Sequence, residues 1–252
     1  MLNFLKKIVE NKLLELKKRK KKIKKSVIKN IYYRYVKKKT FYGFSKIIGE
    51  IKFFTPIIGK ISLTRNINKF VKIYKNLNIK TFSILTEKVF FSGNYSYIPI
   101  IKSKKNNKKV KILRKDFIID KYQIYESIII GSDIILIIVY LLKIKIIKDI
   151  IKFNINFLLE IFSKKDIRKI NFVNNKKKFT IGINSRNLKN SNFKSKEDIL
   201  KISKFIKNKN IILESGIKKI KEIIFFKKIN FGLLIGEFFI KKIINENIYR
   251  NK

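Results

Sequence analysis

Neither cysteine nor histidine occurs among the 252 residues of this chain. The first absence excludes a disulfide framework and any thiolate metal site; the second removes the commonest general base and the commonest metal ligand. Acid–base chemistry is therefore confined to Lys, Glu, Asp and Tyr. Tryptophan and alanine are missing as well. Long apolar runs are also lacking: the longest, Ile134 to Leu142, is nine residues held between Asp133 and Lys143, against the roughly 20 that a bilayer-spanning helix needs. The apolar start Met1-Leu-Asn-Phe4 is broken by Lys6-Lys7 with no small-residue cleavage site behind it, so no secretory signal is read. These absences lead to the expectation of a cytoplasmic protein with no membrane partner.

What the chain has in excess is positive charge. Its 62 basic residues against 17 acidic ones leave a formal charge of +45, a balance that draws polyanions through counterion release. Only seven of the basic residues are Arg and 55 are Lys, whereas base-edge readout leans on the Arg fork. The excess runs through the whole chain and is accompanied by inflated Ile, Asn, Phe and Tyr. That is the pattern of drift toward A/T-rich codons, as in a reduced endosymbiont genome. The expectation is no specific nucleic-acid partner, with a basic nucleic-acid-binding protein kept as an alternative.

Residues 1 to about 38 are Lys-loaded, with Leu5, Ile8, Val9, Leu13, Leu14 and Leu16 near a 3.6-residue spacing. This predicts a helix laid across the fold and then a solvated charge run; from Lys17 onward a disordered basic tail is the alternative. From Ile47 the texture becomes apolar runs alternating with mixed helical stretches. Eight strands are predicted: Ile47 to Lys52, Ile79 to Leu85, Val110 to Leu113, Ile134 to Ile138, Asn156 to Leu159, Phe179 to Ile183, Ile211 to Leu213 and Phe231 to Ile235. The third is expected to stop at Arg114-Lys115-Asp116, three charges with no room in a core. Helices are predicted over Ile67 to Leu77, Tyr95 to Lys102, Lys121 to Ile130, Leu141 to Phe153, Lys164 to Val173, Lys196 to Lys207, Ile217 to Lys227 and Glu237 to Asn245. Eight strand–helix units in a chain of this length make an α/β fold, the (β/α)8 TIM barrel of roughly 250 residues. The division expected is one barrel domain over 1–252, with 1–46 an N-terminal helical extension over the active-site rim and 47–252 the barrel.

Barrel enzymes keep their chemistry at the C-terminal ends of the strands. Several of the few carboxylates close a predicted strand: Glu50, Glu87, Asp116, Glu160, Glu214 and Glu237. At one rim they would converge with Lys52, Lys115, Asn184 and Arg186 on a single cavity. Gly216 and Gly236 follow strands seven and eight, where phosphate-binding amides usually lie in this architecture.

These pieces also carry a resemblance. Glu50-Ile-Lys52 with Thr55-Pro56, Ser83-Ile-Leu-Thr-Glu-Lys-Val-Phe-Phe-Ser-Gly93, Leu113-Arg-Lys-Asp-Phe-Ile-Ile-Asp120, Leu158-Leu-Glu160, Gly182-Ile-Asn-Ser-Arg-Asn-Leu188, Glu214-Ser-Gly-Ile217 and Leu234-Ile-Gly-Glu237 stand in one order along the chain. In that order they resemble the indole-3-glycerol-phosphate synthase family of tryptophan biosynthesis. The resemblance implies a lyase that closes 1-(2-carboxyphenylamino)-1-deoxyribulose 5-phosphate into indole-3-glycerol phosphate, losing carbon dioxide and water. It implies no metal or organic cofactor and a phosphorylated small molecule as the substrate; a monomer is expected.

Carried over residue by residue, the resemblance makes Lys115 the general acid, suited to the task once its surroundings lower its pKa. Glu160 becomes the general base of the dehydration, Lys52 the partner of the substrate carboxylate, Glu50 the carboxylate that orients the lysines, and Asn184 and Arg186 a polar pair contacting substrate. Glu214 is a further rim carboxylate. Ser215, Gly216 and Gly236 match the phosphate turns, with Thr55 adding a hydroxyl. Phe91, Leu136 and Leu188 bracket the aromatic ring. The family's usual Arg-Ala-Ser-Pro-Ser-Lys-Gly run reads Phe53-Phe-Thr-Pro-Ile-Ile-Gly59 here, and Asn187 replaces its usual Asp; both departures predict slower turnover. A decayed barrel without useful activity stays open as an alternative, and phosphoribosylanthranilate isomerase, which shares the phosphate turns without the paired lysines, ranks below it.

Overall fold

A run such as Ile134-Ile-Leu-Ile-Ile138 has no polar face, so a sheet built of such runs must be covered on both sides. The computed structural model describes residues 2–35, 45–56, 59–61, 66–172, 179–187, 192–207 and 210–239, and in it the sheet solves this by closing on itself. Strands β1 (Ile47–Ile51), β2 (Thr81–Leu85), β3 (Lys111–Lys115), β4 (Ile134–Ile138), β5 (Asn156–Ile161), β6 (Phe179–Asn184), β7 (Ile211–Glu214) and β8 (Gly232–Ile235) form a closed barrel. Every neighbouring pair is parallel, and β8 pairs with β1 to complete the ring. The fold is the TIM barrel that the eight runs predict.

One strand end departs from expectation. β3 does not stop before its charges but runs on through Arg114 to Lys115. Arg114 is fully buried, and its guanidinium donates to Asp116, Ser127 and Thr86, so the charge is balanced inside the protein.

The basic N-terminal segment is helical well past Lys17. Helix α1 spans Leu2–Lys22 and α2 spans Lys25–Tyr35, so the disordered tail is not what forms. Three ties hold α1 down: Lys12 meets Asp116, Arg19 meets Glu126 with both guanidinium–carboxylate contacts under 3.0 Å, and Lys20 meets Asp120. The Tyr32 ring of α2 packs edge-on against Tyr125 and Phe153. Leu5 and Ile8 add apolar burial against the barrel mouth, at about 1.5–3 kcal/mol for each fully buried side chain.

The remaining helices are α3 (Ile67–Asn76), α4 (Tyr97–Lys102), α5 (Lys121–Ile129), α6 (Ile144–Ile150), α7 (Lys164–Ile170), α8 (Lys196–Ser203) and α9 (Ile220–Lys228). Helix α6 is shorter than predicted because Val139–Leu141 winds as a separate 3-10 turn. Helix α9 starts late because Ser215 and Gly216 are both left-handed, with φ of 67° and 79°, and Glu222 then caps the Lys218 and Lys219 amides. Most of the predicted final helix, Glu237 to Asn245, lies outside the described residues. No helix among the described residues is long and apolar enough to cross a membrane.

Side chains alternate along each strand, and the two sets go to different places. Ile48, Leu113, Leu136, Leu158, Ile212 and Leu234 form one interior cluster together with Leu5 and Ile8 of α1. Ile51, Ile112, Ile135, Phe157, Leu213 and Leu233 pack outward against the helices. Counting on by two from the interior residues reaches Glu50 and Lys52, Lys115, Glu160, Glu214 and Gly236. The barrel's own alternation thus delivers these groups to its mouth.

Candidate active site

Four of the mouth residues form one chain of opposite charges. Lys52 Nζ lies 2.6 Å from Glu50 Oε1; Lys115 Nζ lies 3.8 Å from Glu50 Oε2 and 2.8 Å from Glu214 Oε2. The two lysines keep 17% and 18% of their side chains exposed, whereas Glu214 has none. The ammonium groups therefore face the opening and the carboxylates lie beneath them.

Burial by itself would raise the Glu50 carboxyl, but Lys52, Lys115 and Arg186 more than reverse this and hold it below the usual glutamate range. Burial would lower the Lys115 ammonium, but Glu214, Glu160 and Glu50 hold it above the usual lysine range. This overturns the expectation that its surroundings lower the Lys115 pKa, because three carboxylates outweigh desolvation. Glu214 has little solvent and two acidic neighbours: burial pushes its carboxyl up to about 7 against the pull of Lys115, with Glu160 and Glu50 adding to the rise. Lys115 and Glu214 thus share one hydrogen bond in which both groups are held above their usual ranges.

On β5 and β6, next to the strand that carries Glu214, Asn184 Nδ2 donates to Glu160 Oε1 at 2.8 Å, and the Arg186 N–H donates to Asn184 Oδ1 at 2.9 Å. The second bond fixes which way the amide faces, so the first aims the carboxylate. The Arg186 guanidinium lies 4.6 Å from the centre of the Phe193 ring, a cation–π contact.

Two glycines make room for this machinery. A Cβ at Gly182 would stand 2.0 Å from Glu214 Oε1, and one at Gly236 would stand 2.8 Å from Glu50 Oε1. Gly236 is thus a neighbour of the Glu50 carboxylate as well as part of the β8 turn. Ser215 adopts a left-handed φ without being glycine, a strain of the kind stored at ligand sites. Thr55 sits half-buried in a short hairpin of Phe54–Thr55 with Gly59–Lys60.

Leu136 is part of the interior cluster, with Phe91 packed against it and the Phe91 ring centre 6.0 Å from that of Phe117. Leu188, Ile57 and Ile58 lie outside the described residues. Phe117 was not singled out by sequence reasoning, although it stands two residues beyond Lys115 and so shares its inward phase. Among the described residues no group of three or more Asp or Glu is arranged to hold a metal ion.

Two of the strand-end carboxylates do not join the mouth. Asp116 has the outward phase of Arg114 and is buried among Arg114, Thr86 and Lys12, tying α1 to the end of β3. Glu87 turns back on its own loop and accepts the N–H groups of Val89, Phe90 and Phe91 at 2.7–3.0 Å. Its work is to shape the turn that carries Phe91. Glu237 is half-buried beyond the end of β8.

The family described as indole-3-glycerol phosphate synthase matches residues 5–250. A relative of that name from Caldanaerobacter subterraneus subsp. tengcongensis is 37% identical over 199 residues, covering 77% of this chain and 75% of the relative. One from Clostridium acetobutylicum is 35% identical over 219 residues, covering 82% and 80%. Among solved structures, 3-hexulose-6-phosphate synthase from Salmonella typhimurium superposes with a TM-score of 0.55 at 10% identity, over 77% of this chain and 90% of that one. That likeness speaks for the barrel alone, whereas the sequence matches identify the chain: it belongs to the indole-3-glycerol phosphate synthase family, decarboxylating lyases of tryptophan biosynthesis.

Proposed function

We propose that the barrel mouth closes 1-(2-carboxyphenylamino)-1-deoxyribulose 5-phosphate into indole-3-glycerol phosphate. The observation that carries the reading is the chain of contacts from Lys52 through Glu50 and Lys115 to Glu214, with the Glu160–Asn184 pair close enough to act on Lys115. The ring carbon bearing the carboxylate attacks the ribulose carbonyl carbon, and Lys115 delivers a proton to the oxygen as the new bond forms. An amine held above its usual range is a weak acid, but a developing alkoxide is more basic still, so the transfer keeps its direction. The carboxylate then leaves as carbon dioxide, and its electron pair quenches the iminium formed by the attack. In the dehydration a lysine protonates the departing hydroxyl and Glu160 takes the adjacent C–H proton, leaving the indole and water.

Lys52 faces the substrate carboxylate until it leaves, and Glu50 orients both lysines. Arg186 contacts substrate beside Asn184, while Phe91 and Leu136, with Leu188, hold the aromatic ring. Ser215, Gly216 and Gly236 supply the phosphate turn at the neighbouring ends of β7 and β8, supported by the left-handed pair at Ser215-Gly216. Thr55 adds a hydroxyl. The protein acts as a cytoplasmic monomer without a specific nucleic-acid partner; a closed barrel leaves no sheet edge for a second copy to extend. The test is a steady-state assay with the anthranilate ribulose phosphate, reading indole fluorescence, which a chain without Trp does not obscure. Product formation well above a Lys115→Ala control is expected; none above it overturns the reading.

A further inference from the structure

The chain after β6 doubles back on the strand it has just left. The Asn187 N–H donates to the Asn192 carbonyl at 2.7 Å, Arg186 and Phe193 form an antiparallel bridge, and the Lys194 N–H donates to the Ser185 carbonyl at 2.7 Å. One side chain fastens this strap: Lys194 Nζ donates to the carbonyls of both Asn184 and Arg186 at 2.8 Å. These carbonyls flank Ser185 at the point where β6 ends. No carboxylate of a described residue pairs with the ammonium; it is spent on backbone. Hydrogen bonds from a charged donor are the strong ones, worth roughly twice a neutral pair.

The two anchored peptides carry the side chains that matter on the Glu160 wall. Asn184 aims Glu160 through Nδ2 and takes the Arg186 N–H on Oδ1, and the Arg186 guanidinium stacks on Phe193 of the same strap. Rotating either peptide plane would swing the Asn184 amide off Glu160. We propose that Lys194 is a positioning residue for the ring-closing reaction, its ammonium clamping the Asn184 and Arg186 carbonyls so that Asn184 holds Glu160 and Arg186 keeps its place at the mouth. The inference rests on the reading of Glu160 and Asn184 given above.

Neutralising the clamp has a pH signature. Burial lowers the Lys194 pKa below the usual lysine value, against the opposing pull of Asp166 on α7, Asp198 on α8 and Glu160 on β5. The uncharged Phe162 ring lies 5.9 Å away, and Lys194 lines a cavity together with Lys196, Lys218 and Glu222. Above that pKa the amine keeps two protons but loses the charge that strengthens its bonds.

The experiment compares wild type, Lys194→Met and Lys194→Arg for kcat, KM and the pH dependence of kcat. Met keeps the length and removes the donors; Arg keeps two donors and stays charged at every accessible pH. A misplacement of about 1 Å can cost up to about 100-fold, so Lys194→Met is expected to lose about 10–100-fold in kcat with a smaller change in KM. Lys194→Arg should recover most of that loss. Wild type should show an alkaline fall in kcat below the usual lysine range that is absent from the Arg variant. Should Lys194→Met fail to fold, Lys194→Arg decides alone, because an alkaline limb identical to wild type overturns the clamp. An active wild type with a fully active Met variant also overturns it while leaving the proposed function standing. A wild type that makes no product overturns the proposed function itself.

Discussion

Replacing Asp116 with Asn separates holding the N-terminal helix from doing chemistry. Asp116 Oδ2 accepts from Arg114 Nη2 at 2.9 Å and from Thr86 Oγ1 at 2.8 Å, while Oδ1 meets Lys12 Nζ at 3.1 Å and the Phe117 N–H at 2.8 Å. The Lys12, Arg114 and Asp116 side chains are each no more than 2% exposed. Asn keeps the shape but takes away the buried anion between two buried cations, leaving Lys12 only the partly exposed Glu15 at 2.7 Å and Arg114 only Glu126 at 3.8 Å, and it turns an amide donor toward one of them. Breaking a buried pair by removing one partner destabilises by about 3–5 kcal/mol. In a chain of this size each kcal/mol moves Tm by about 2–4 °C, so a fall on the order of 10 °C is expected.

Far-UV circular dichroism during heating reads this loss directly. At a temperature where both forms are folded, kcat of the Asn variant should fall far less than that of Glu160→Gln, because Asp116 does not face the mouth. Lys12→Met combined with Asp116→Asn should cost less than the two single changes added together, since the double variant buries one cation fewer beside the missing carboxylate. Acid adds a second arm. Burial pushes the Asp116 carboxyl up, but Arg114 and Lys12 overcome it and hold the folded pKa well below the usual aspartate value. A carboxyl depressed on folding contributes stability that is complete above its unfolded pKa of about 3.9 and is lost as pH falls toward the folded one. Wild type should therefore lose stability below about pH 4 by a component that the Asn variant lacks. An Asn variant that melts with wild type and shares its acid profile would refute the buried tie.

Lys115→Met should lower kcat by orders of magnitude with a modest change in KM, because its proton is demanded only in the transition state; near wild-type kcat in steady-state assay counts against the assignment. Gly182→Ala places a Cβ where Glu214 Oε1 now stands. It should displace Glu214 from Lys115 and shift the rate limb expected near pH 7, so an unchanged pH–rate profile would contradict the geometry. With a formal charge of +45, self-repulsion should be relieved by screening, and Tm should rise with added salt; a flat response over a calorimetric salt series would exclude it.

Much of this protein is legible before folding is considered. Short apolar runs separated by helical stretches specify eight strand–helix units, and polar residues gathered just past those runs mark the end where chemistry belongs. The absence of His and Cys leaves Lys and Glu to do it. Residues 53–59 and Asn187 show where the chain departs from its relatives' usual motif, and that too is written in the residues.

What the tertiary structure decided is which neighbour in the chain goes to which side of the wall. Because both faces of every barrel strand are buried, no hydrophobic alternation records the inside, and Arg114, Lys115 and Asp116 read simply as three charges. Only closure of the ring assigns Lys115 to the mouth and its two neighbours to the helix side, where Lys12 arrives from a hundred residues away in sequence to balance them. The same closure brings Glu50, Glu160 and Glu214 within range of one ammonium, and the mutual repulsion and shared cation that result exist in no single segment of the chain. Strand count, and the end at which polar groups collect, are local properties of the polypeptide. Phase and electrostatic coupling belong to the ring, because they depend on which strands stand next to one another.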